Sequence, residues 1–344
     1  MEREKKMINK NLKKILTVLL LFTGVISLNS CNDNELEKVK VAEVAHSVFY
    51  APQYVALELG FFIEEGLEIE LINANGADKV TASLLSGDVQ IGLQGPEPTI
   101  YLYKNKSNDY LVNFAQVTRT DGSFIFGREP IENFDLSMLK GKSILGGRAG
   151  GVPEMTLEYV LKQAGLTIAK NSNDADVNVR TDVAFAAMAG AFLNGEGDFT
   201  TLFEPTASEM QASKEMYLLA SVGEYAGEVA YTAYSCLNSY FTKSYDTLKK
   251  FTKALYKGQQ YVDTHSDLEI AQVIQKQFTD VSLETLTSVV NRYRKINAWC
   301  KTPEFTKIAF DNLQNIMIEA EELDEKVDFD ILVNNKAAFE VING

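Results

Sequence analysis

The stretch at 144–154, ILGGRAGGVPE, sets four glycines and a proline between an apolar run and a helical pattern. Glycines let main-chain N–H groups approach a bound molecule closely, and they also make ordinary turns. The spacing excludes two phosphate chemistries. No glycine triplet falls at the G-x-G-x-x-G offsets, and Val152 stands where a Walker loop carries lysine. What remains is a strand, a glycine turn and a helix start at Pro153. Such an end offers free N–H groups and a partial positive charge at the carboxyl end of a strand, where α/β proteins hold ligands. Gly147, Gly150 and Gly151 are therefore candidate binding positions, against the plainer reading of a tight turn. Glu154, in the first helical turn, either complements the helix dipole or accepts hydrogen bonds from ligand amino groups. Arg148 either clamps an anion or is simply solvated.

Two further strand ends supply candidates. HSVFYAPQY follows the first strand and brings His46, Ser47, Phe49, Tyr50 and Gln53 to its end. Aromatic faces there stack a planar ligand and the amide satisfies its polar edge, while a place in the core is the plainer fate of Phe49 and Tyr50. LQGPEPT (93–99) places Gln94, Gly95 and Glu97 at the matching end of the third strand. Phe203 and Glu204 of FEP follow a later strand, and Tyr231, Thr232 and Tyr234 line a return crossing. Three carboxylates, Glu97, Glu154 and Glu204, favour a ligand that donates hydrogen bonds. A sulfonate or nitrate site would want more donors and fewer acids.

Catalytic machinery is sparse. There are two histidines, His46 and His265, far apart and without metal-ligand spacing, and no G-x-S-x-G elbow. We expect no enzyme, no metal and no cofactor.

The elements that carry these residues alternate. VKVAEVAH (39–46), LEIELINA (67–74), VQIGLQG (89–95) and YLVNFAQV (110–117) read as strands, with helical patterns between them. A second set runs from SFIFG (123–127) through KSILGG (142–147), VNVRT (177–181) and DFTTLF (198–203) to MYLLASV (216–222). Within it, 153–165 and 184–195 read as helices. Regular alternation implies an α/β architecture of parallel βαβ units. From Asp246 onward four amphipathic helices follow. The expected layout is two lobes and a helical tail: 39–117 as the first part of lobe 1, 118–230 as lobe 2, and 231–344 as the rest of lobe 1. The runs at 110–117 and 228–237 would pass between lobes, forming a hinge beside a cleft.

The chain has 344 residues, 46% hydrophobic and 23% charged, with a net charge of −14. Its first 30 residues carry a basic start and the apolar run ILTVLLLFTGVISL, the layout of an export signal and too short to span a bilayer. LNSC resembles a lipobox, with Cys31 the residue to be lipidated and 31–38 a tether. The acidic remainder repels nucleic acid and anionic lipid head groups, leaving the lipid on Cys31 as the expected membrane attachment. Cys236 and Cys300 are read as free thiols, with a disulfide left open.

HSVFYAPQYVALELGFFIEEGLEIEL (46–71) resembles the start of the ABC-transporter solute-binding proteins for thiamine-pyrimidine precursors, sulfonates, taurine and nitrate. GGRAGGVPEM (146–155), LFEPTASEM (202–210) and GEVAYTAY (227–234) are similar to blocks from the pyrimidine-precursor side of that family. The resemblance implies a two-lobed type 2 periplasmic-binding-protein fold, monomeric, that closes on a small planar nutrient and delivers it to ABC permease subunits. Sulfonate, taurine or nitrate receptors are the alternatives within the fold. A thiamine-pyrimidine synthase is the alternative from another class, and its cysteine-rich motif is missing here.

Overall fold

Strand β1 (Glu37–Glu43) opens the described part of the chain, residues 35–344 of a computed structural model. Val39 and Val41 point inward and Lys40 outward, the period of two that a half-buried strand requires. β2 (Leu67–Asn73) pairs with it in parallel from Glu37↔Leu67 onward. The strand thus begins two residues inside the segment expected as tether. Two features pull it there: the Glu37 N–H donates to the Gly66 carbonyl at 2.9 Å, and Lys38 and Lys40 face Glu68 and Glu70 across the pair. The expected signal, Cys31 and most of the tether lie outside the described residues. No helix among the described residues is long and apolar enough to cross a membrane.

β3 (Ile91–Gln94) runs parallel to β1, and β4 (Leu111–Thr118) follows. The chain then builds a second sheet from β5 (Phe124–Gly127), β6 (Lys142–Leu145), β7 (Ile168–Lys170), β8 (Val177–Arg180), β9 (Phe199–Leu202) and β10 (Tyr217–Ser221). It returns to the first sheet as β11 (Thr232–Leu237). The strand orders are β2-β1-β3-β11-β4 and β10-β5-β9-β6-β8-β7. β6 is parallel to β8 and β9, whereas β11 is antiparallel to both its neighbours. β3, β4, β5 and β9 are buried along their whole length, as strands covered on both faces are.

The two runs expected as crossings are, for most of their length, neighbouring strands. β4 and β11 pair with each other, and the Thr118 and Thr232 hydroxyls touch at their ends. The crossings are the segments just beyond, 119–123 and 222–231, and they are bonded side by side. The Val229 N–H donates to the Arg119 carbonyl at 2.9 Å, Thr120 Oγ1 donates to the Gly227 carbonyl at 2.9 Å, and Arg119 pairs with Glu228 at 2.8 Å.

The four expected tail helices form as Tyr245–Thr264, Asp267–Ile274, Leu283–Lys295 and Lys307–Glu319. Ser266 closes a capping box with Glu269 at the start of the second. The Tyr245–Thr264 helix lies so close on the Ala51–Glu58 helix that a Cβ at Gly258 would sit 2.2 Å from the Pro52 carbonyl oxygen. Lys307–Glu319 reaches the Val152–Gln163 helix, where Lys162 Nζ donates to the Glu319 carbonyl. Helix formation in 184–195 is shorter than its pattern: a 3₁₀ turn at Phe185–Ala187 precedes Met188–Leu193. Cys236 and Cys300 are free thiols, the first buried and the second partly so.

Candidate functional site

Because β1 and β3 are parallel, the loops after Glu43 and Gln94 leave the sheet at one edge. The first loop is fastened by a residue that the sequence reading passed over, Glu43. This carboxylate is buried and accepts from Gln53 Nε2 and Tyr54 OH, each at 2.8 Å, while its other oxygen lies 2.8 Å from His46 Nδ1. The Glu43 contact raises the His46 imidazole above its ordinary value. His46 Nε2 lies 2.9 Å from the Gln277 carbonyl, and Tyr234 OH donates to Gln53 Oε1 at 2.6 Å. His46, Gln53 and Tyr234 are thus occupied by one another and by Glu43. Their arrangement holds the loop rather than offering free polar atoms.

Phe49 and Tyr50 sit on that loop in a 3₁₀ turn capped by Ser47. The Phe49 ring lies 5.7 Å from Tyr50, 5.7 Å from Phe203, 5.6 Å from Tyr231 and 5.0 Å from Tyr293. The contacts to Phe203 and Tyr231 are edge-on, an arrangement favoured between aromatic quadrupoles. Phe203 also meets Tyr231 at 6.2 Å and the half-exposed Phe185 at 5.4 Å. Aromatic residues from loops of both sheets therefore gather in one cluster, and Ser47 Oγ joins the loops directly by donating to the Glu204 carbonyl at 2.6 Å. Trp299 Nε1–H donates to the Phe49 carbonyl at 2.9 Å. Phe185, Tyr293 and Trp299 went unread in the sequence, since each arrives from a distant segment.

The three carboxylates singled out by type have separate fates. Glu204 is engaged by its own helix and the tail: it accepts from the Ser208 N–H at 2.8 Å and Ser208 Oγ at 3.1 Å, and it pairs with Arg292. Glu154 is fully buried beneath the glycine loop. One of its oxygens accepts from the Gly150 N–H at 3.0 Å, and the other lies 3.4 Å from Lys170 Nζ. Lys170 also faces Glu158 and Glu322, at 3.5 and 3.4 Å. Burial, with Glu154 beside it, pushes the Glu158 carboxyl up to about 8. The acidic residue at this helix start is therefore part of the loop's own support. Gly147 and Gly150 adopt φ of +91° and +71°, the left-handed region that glycine tolerates, and Gly151 caps the helix.

Glu97 differs from the other two in its cation: Arg148 stands off at 4.0 Å, whereas Arg292 contacts Glu204 and Lys170 lies 3.4 Å from Glu154, whose Oε1 is likewise without a hydrogen-bond partner. Glu97 is 2% exposed, its Oε1 is 4.0 Å from Arg148 Nη2, and its Oε2 has no hydrogen-bond partner. Burial pushes its carboxyl up to about 7. Beside it Gln94, 1% exposed, uses Oε1 to accept from Thr81 while Nε2 is unpartnered. Gly95 allows this arrangement, because a Cβ there would overlap Glu97 Oε2 and sit 2.9 Å from Val152 of the opposite helix. Tyr101 OH spans to the glycine loop by donating to the Gly150 carbonyl at 3.0 Å. A donor and an acceptor, both buried and both without a hydrogen-bond partner, thus lie three residues apart at the end of β3, and Gly95 between them lies close to Val152 at the start of the Val152–Gln163 helix. Among the described residues no group of three or more His, Cys, Asp or Glu is placed to hold a metal ion.

The candidate binding protein YtlA of Bacillus subtilis (strain 168) is 40% identical over 326 residues, covering 94% of this chain and 95% of its own. The alkanesulfonate-binding protein SsuA of Xanthomonas axonopodis pv. citri shares the fold at a TM-score of 0.70, with 15% identity over 88% of this chain and 99% of its own. The fold also carries an enzyme, the desulfurization enzyme DszB, at TM-score 0.62 and 12% identity over 89% of this chain and 99% of that one. The architecture is the periplasmic-binding-protein fold expected from the sequence. The model of the family described as NMT1/THI5 like matches residues 48–267, and the chain belongs to that family.

Proposed function

We propose that this protein is an extracytoplasmic solute receptor of an ABC importer, tethered through a lipid on Cys31 and without catalytic activity. Its ligand is a small planar heteroaromatic nutrient of the aminopyrimidine type. The two sheets act as jaws, and a ligand that touches both favours the closed form. The single observation that carries the ligand class is Glu97: a buried carboxylate with one oxygen unsatisfied, three residues from Gln94, whose buried amide nitrogen is unpartnered, with the Phe49–Phe203–Tyr231 aromatics gathered on neighbouring loops. An aminopyrimidine supplies a donor for the carboxylate, a ring-nitrogen acceptor for the amide and a face for the rings. A sulfonate or nitrate would meet a carboxylate where it needs donors.

Titration calorimetry of the purified chain with 4-amino-5-hydroxymethyl-2-methylpyrimidine, taurine and nitrate tests the reading. Binding of the pyrimidine, with neither taurine nor nitrate giving heat, is the expected result. Tight binding of taurine or nitrate would reverse the assignment. The anchor has its own check: Cys31→Ala should move the protein from the membrane fraction to the soluble fraction, and an unchanged distribution would exclude lipidation at that residue.

A further inference from the structure

We propose that Arg292 is a clasp that holds the two sheet-bearing parts of the chain together, and that Glu204 is its catch rather than a contact for solute; this rests on the reading of the two sheets as jaws given above. The second sheet is built by 124–221 and joins the rest through the crossings at 119–123 and 222–231. The tail belongs with the first sheet. Gln259 Nε2 donates to the Gln116 carbonyl at 2.8 Å, and the Asn334 N–H donates to the Asn113 carbonyl at 2.9 Å. A bond from the tail to Glu204 therefore ties together parts that the chain itself connects only at the crossings.

Glu204 follows β9, is buried, and has all four of its polar atoms engaged. Its N–H donates to Tyr293 OH at 3.0 Å, its carbonyl accepts from Ser47 Oγ at 2.6 Å, and its Oε1 accepts from Arg292 Nη1. These three bonds all cross from the second-sheet side to the first. From its own side Ser208 fixes the carboxylate, donating through its N–H at 2.8 Å and its Oγ at 3.1 Å. Two of the three crossing bonds come from adjacent residues, Arg292 and Tyr293, near the end of the Leu283–Lys295 helix.

Arg292 directs its guanidinium wholly toward the second-sheet side. Nη2 donates to Gln211 Oε1 at 2.8 Å, in the Thr206–Ser213 helix, and the guanidinium carbon lies 5.4 Å from the centre of the Phe124 ring of β5. A planar fork between two acceptors fixes orientation as well as distance, which a lysine cannot reproduce. Other cations meet the opposite part at one point each: Lys162 at the Glu319 carbonyl, Lys170 beside Glu322 at 3.4 Å and Arg148 beside Glu97 at 4.0 Å. Apparent affinity for a solute held between the sheets scales with the fraction of molecules that are closed. Arg292 thus acts on binding as a positioning residue, without touching solute.

Small-angle scattering and titration calorimetry of the full chain test this, with 4-amino-5-hydroxymethyl-2-methylpyrimidine as the probe. Without the pyrimidine, Arg292→Ala should show a larger radius of gyration than the natural protein. Its affinity for the pyrimidine should fall about 10- to 100-fold, the range for losing charge-assisted hydrogen bonds. Adding Glu204→Gln to Arg292→Ala should weaken binding by less than about twofold more, because the catch then has no clasp to lose. Arg292→Lys keeps the charge and loses the fork, and Gln211→Ala removes one acceptor at an exposed position. Both should shift radius and affinity in the same direction by less, and they decide the matter if Arg292→Ala does not fold. An unchanged radius or an unchanged affinity in these variants overturns the clasp and leaves the receptor reading standing. A further loss beyond twofold from Glu204→Gln would put Glu204 on the solute and equally overturn it. If the radius grows but the pyrimidine binds none of the proteins, the ligand class fails and the clasp stands.

Discussion

Glu97→Gln should weaken binding of the hydroxymethyl pyrimidine by about 100-fold, near the upper range for losing a hydrogen bond to a buried charge. Without ligand, the same variant should be more stable than the natural protein at pH 8. Both effects come from one desolvated carboxylate. Its value in the folded protein, about 7, lies above the ordinary 4.5, so folding favours the protonated form. The stability this contributes is complete below the unfolded value and is lost as pH rises through the folded one. By pH 8 the loss amounts to roughly 3 kcal/mol, from the difference between the two values. Thermal unfolding of the ligand-free protein from pH 5 to pH 8 should therefore slope downward, and Glu97→Gln should flatten it. Part of the slope will persist, because Asp121 and Glu158 are also pushed up, to about 6 and about 8. An unaltered slope together with unaltered affinity would show that Glu97 is not the group around which this gap is built.

Gly258→Ala should lower stability by about 1–3 kcal/mol, the usual cost of overpacking. Two effects compete. Alanine in a helix gains roughly 1 kcal/mol over glycine. Against this, the new Cβ would sit 2.2 Å from the Pro52 carbonyl oxygen and 3.1 Å from Ala56 Cβ. The first of these is main chain and cannot swing aside, so the Ala51–Glu58 helix must move. That helix begins where the Phe49–Tyr50 turn ends, so the displacement should also reach the aromatic cluster and lower ligand affinity. Gly190 is the internal contrast: it lies in the Met188–Leu193 helix with nothing within 4 Å of a Cβ, and Gly190→Ala should be neutral or mildly stabilising. Scanning calorimetry compares the two. A melting temperature raised by Gly258→Ala would mean the helices separate without penalty.

The parts of this molecule visible in its sequence are those that depend on neighbours in the chain. Alternation in LEIELINA and the spacing in the 245–264 helix mark β2 and the tail helix because strand and helix periods are local properties. The glycine turn before Val152 was readable for the same reason. The roles of the acids were not. Glu97, Glu154 and Glu204 look alike in sequence, yet Arg292 occupies one and Lys170 and a main-chain N–H another, leaving Glu97 with its cation 4.0 Å away. Arg292 stands 88 positions from Glu204, and no local pattern announces that meeting. Asp121 was passed over because DGS looks like turn chemistry, and its Ser123 contacts bear that out for one oxygen only. Runs 110–117 and 228–237 were placed as crossings between lobes, and the pairing of β4 with β11 went unread because it joins residues more than a hundred positions apart.

The bond from Trp299 to the Phe49 carbonyl gives the protein a built-in optical probe. Trp299 is the chain's one tryptophan, and its indole is tied to the residue whose ring contacts Phe203 and Tyr231. Any solute that shifts Phe49 changes the polarity around a single fluorophore, so emission can follow occupancy in real time without a label. The same property makes quenching by acrylamide a gauge of how often the indole is laid open between encounters.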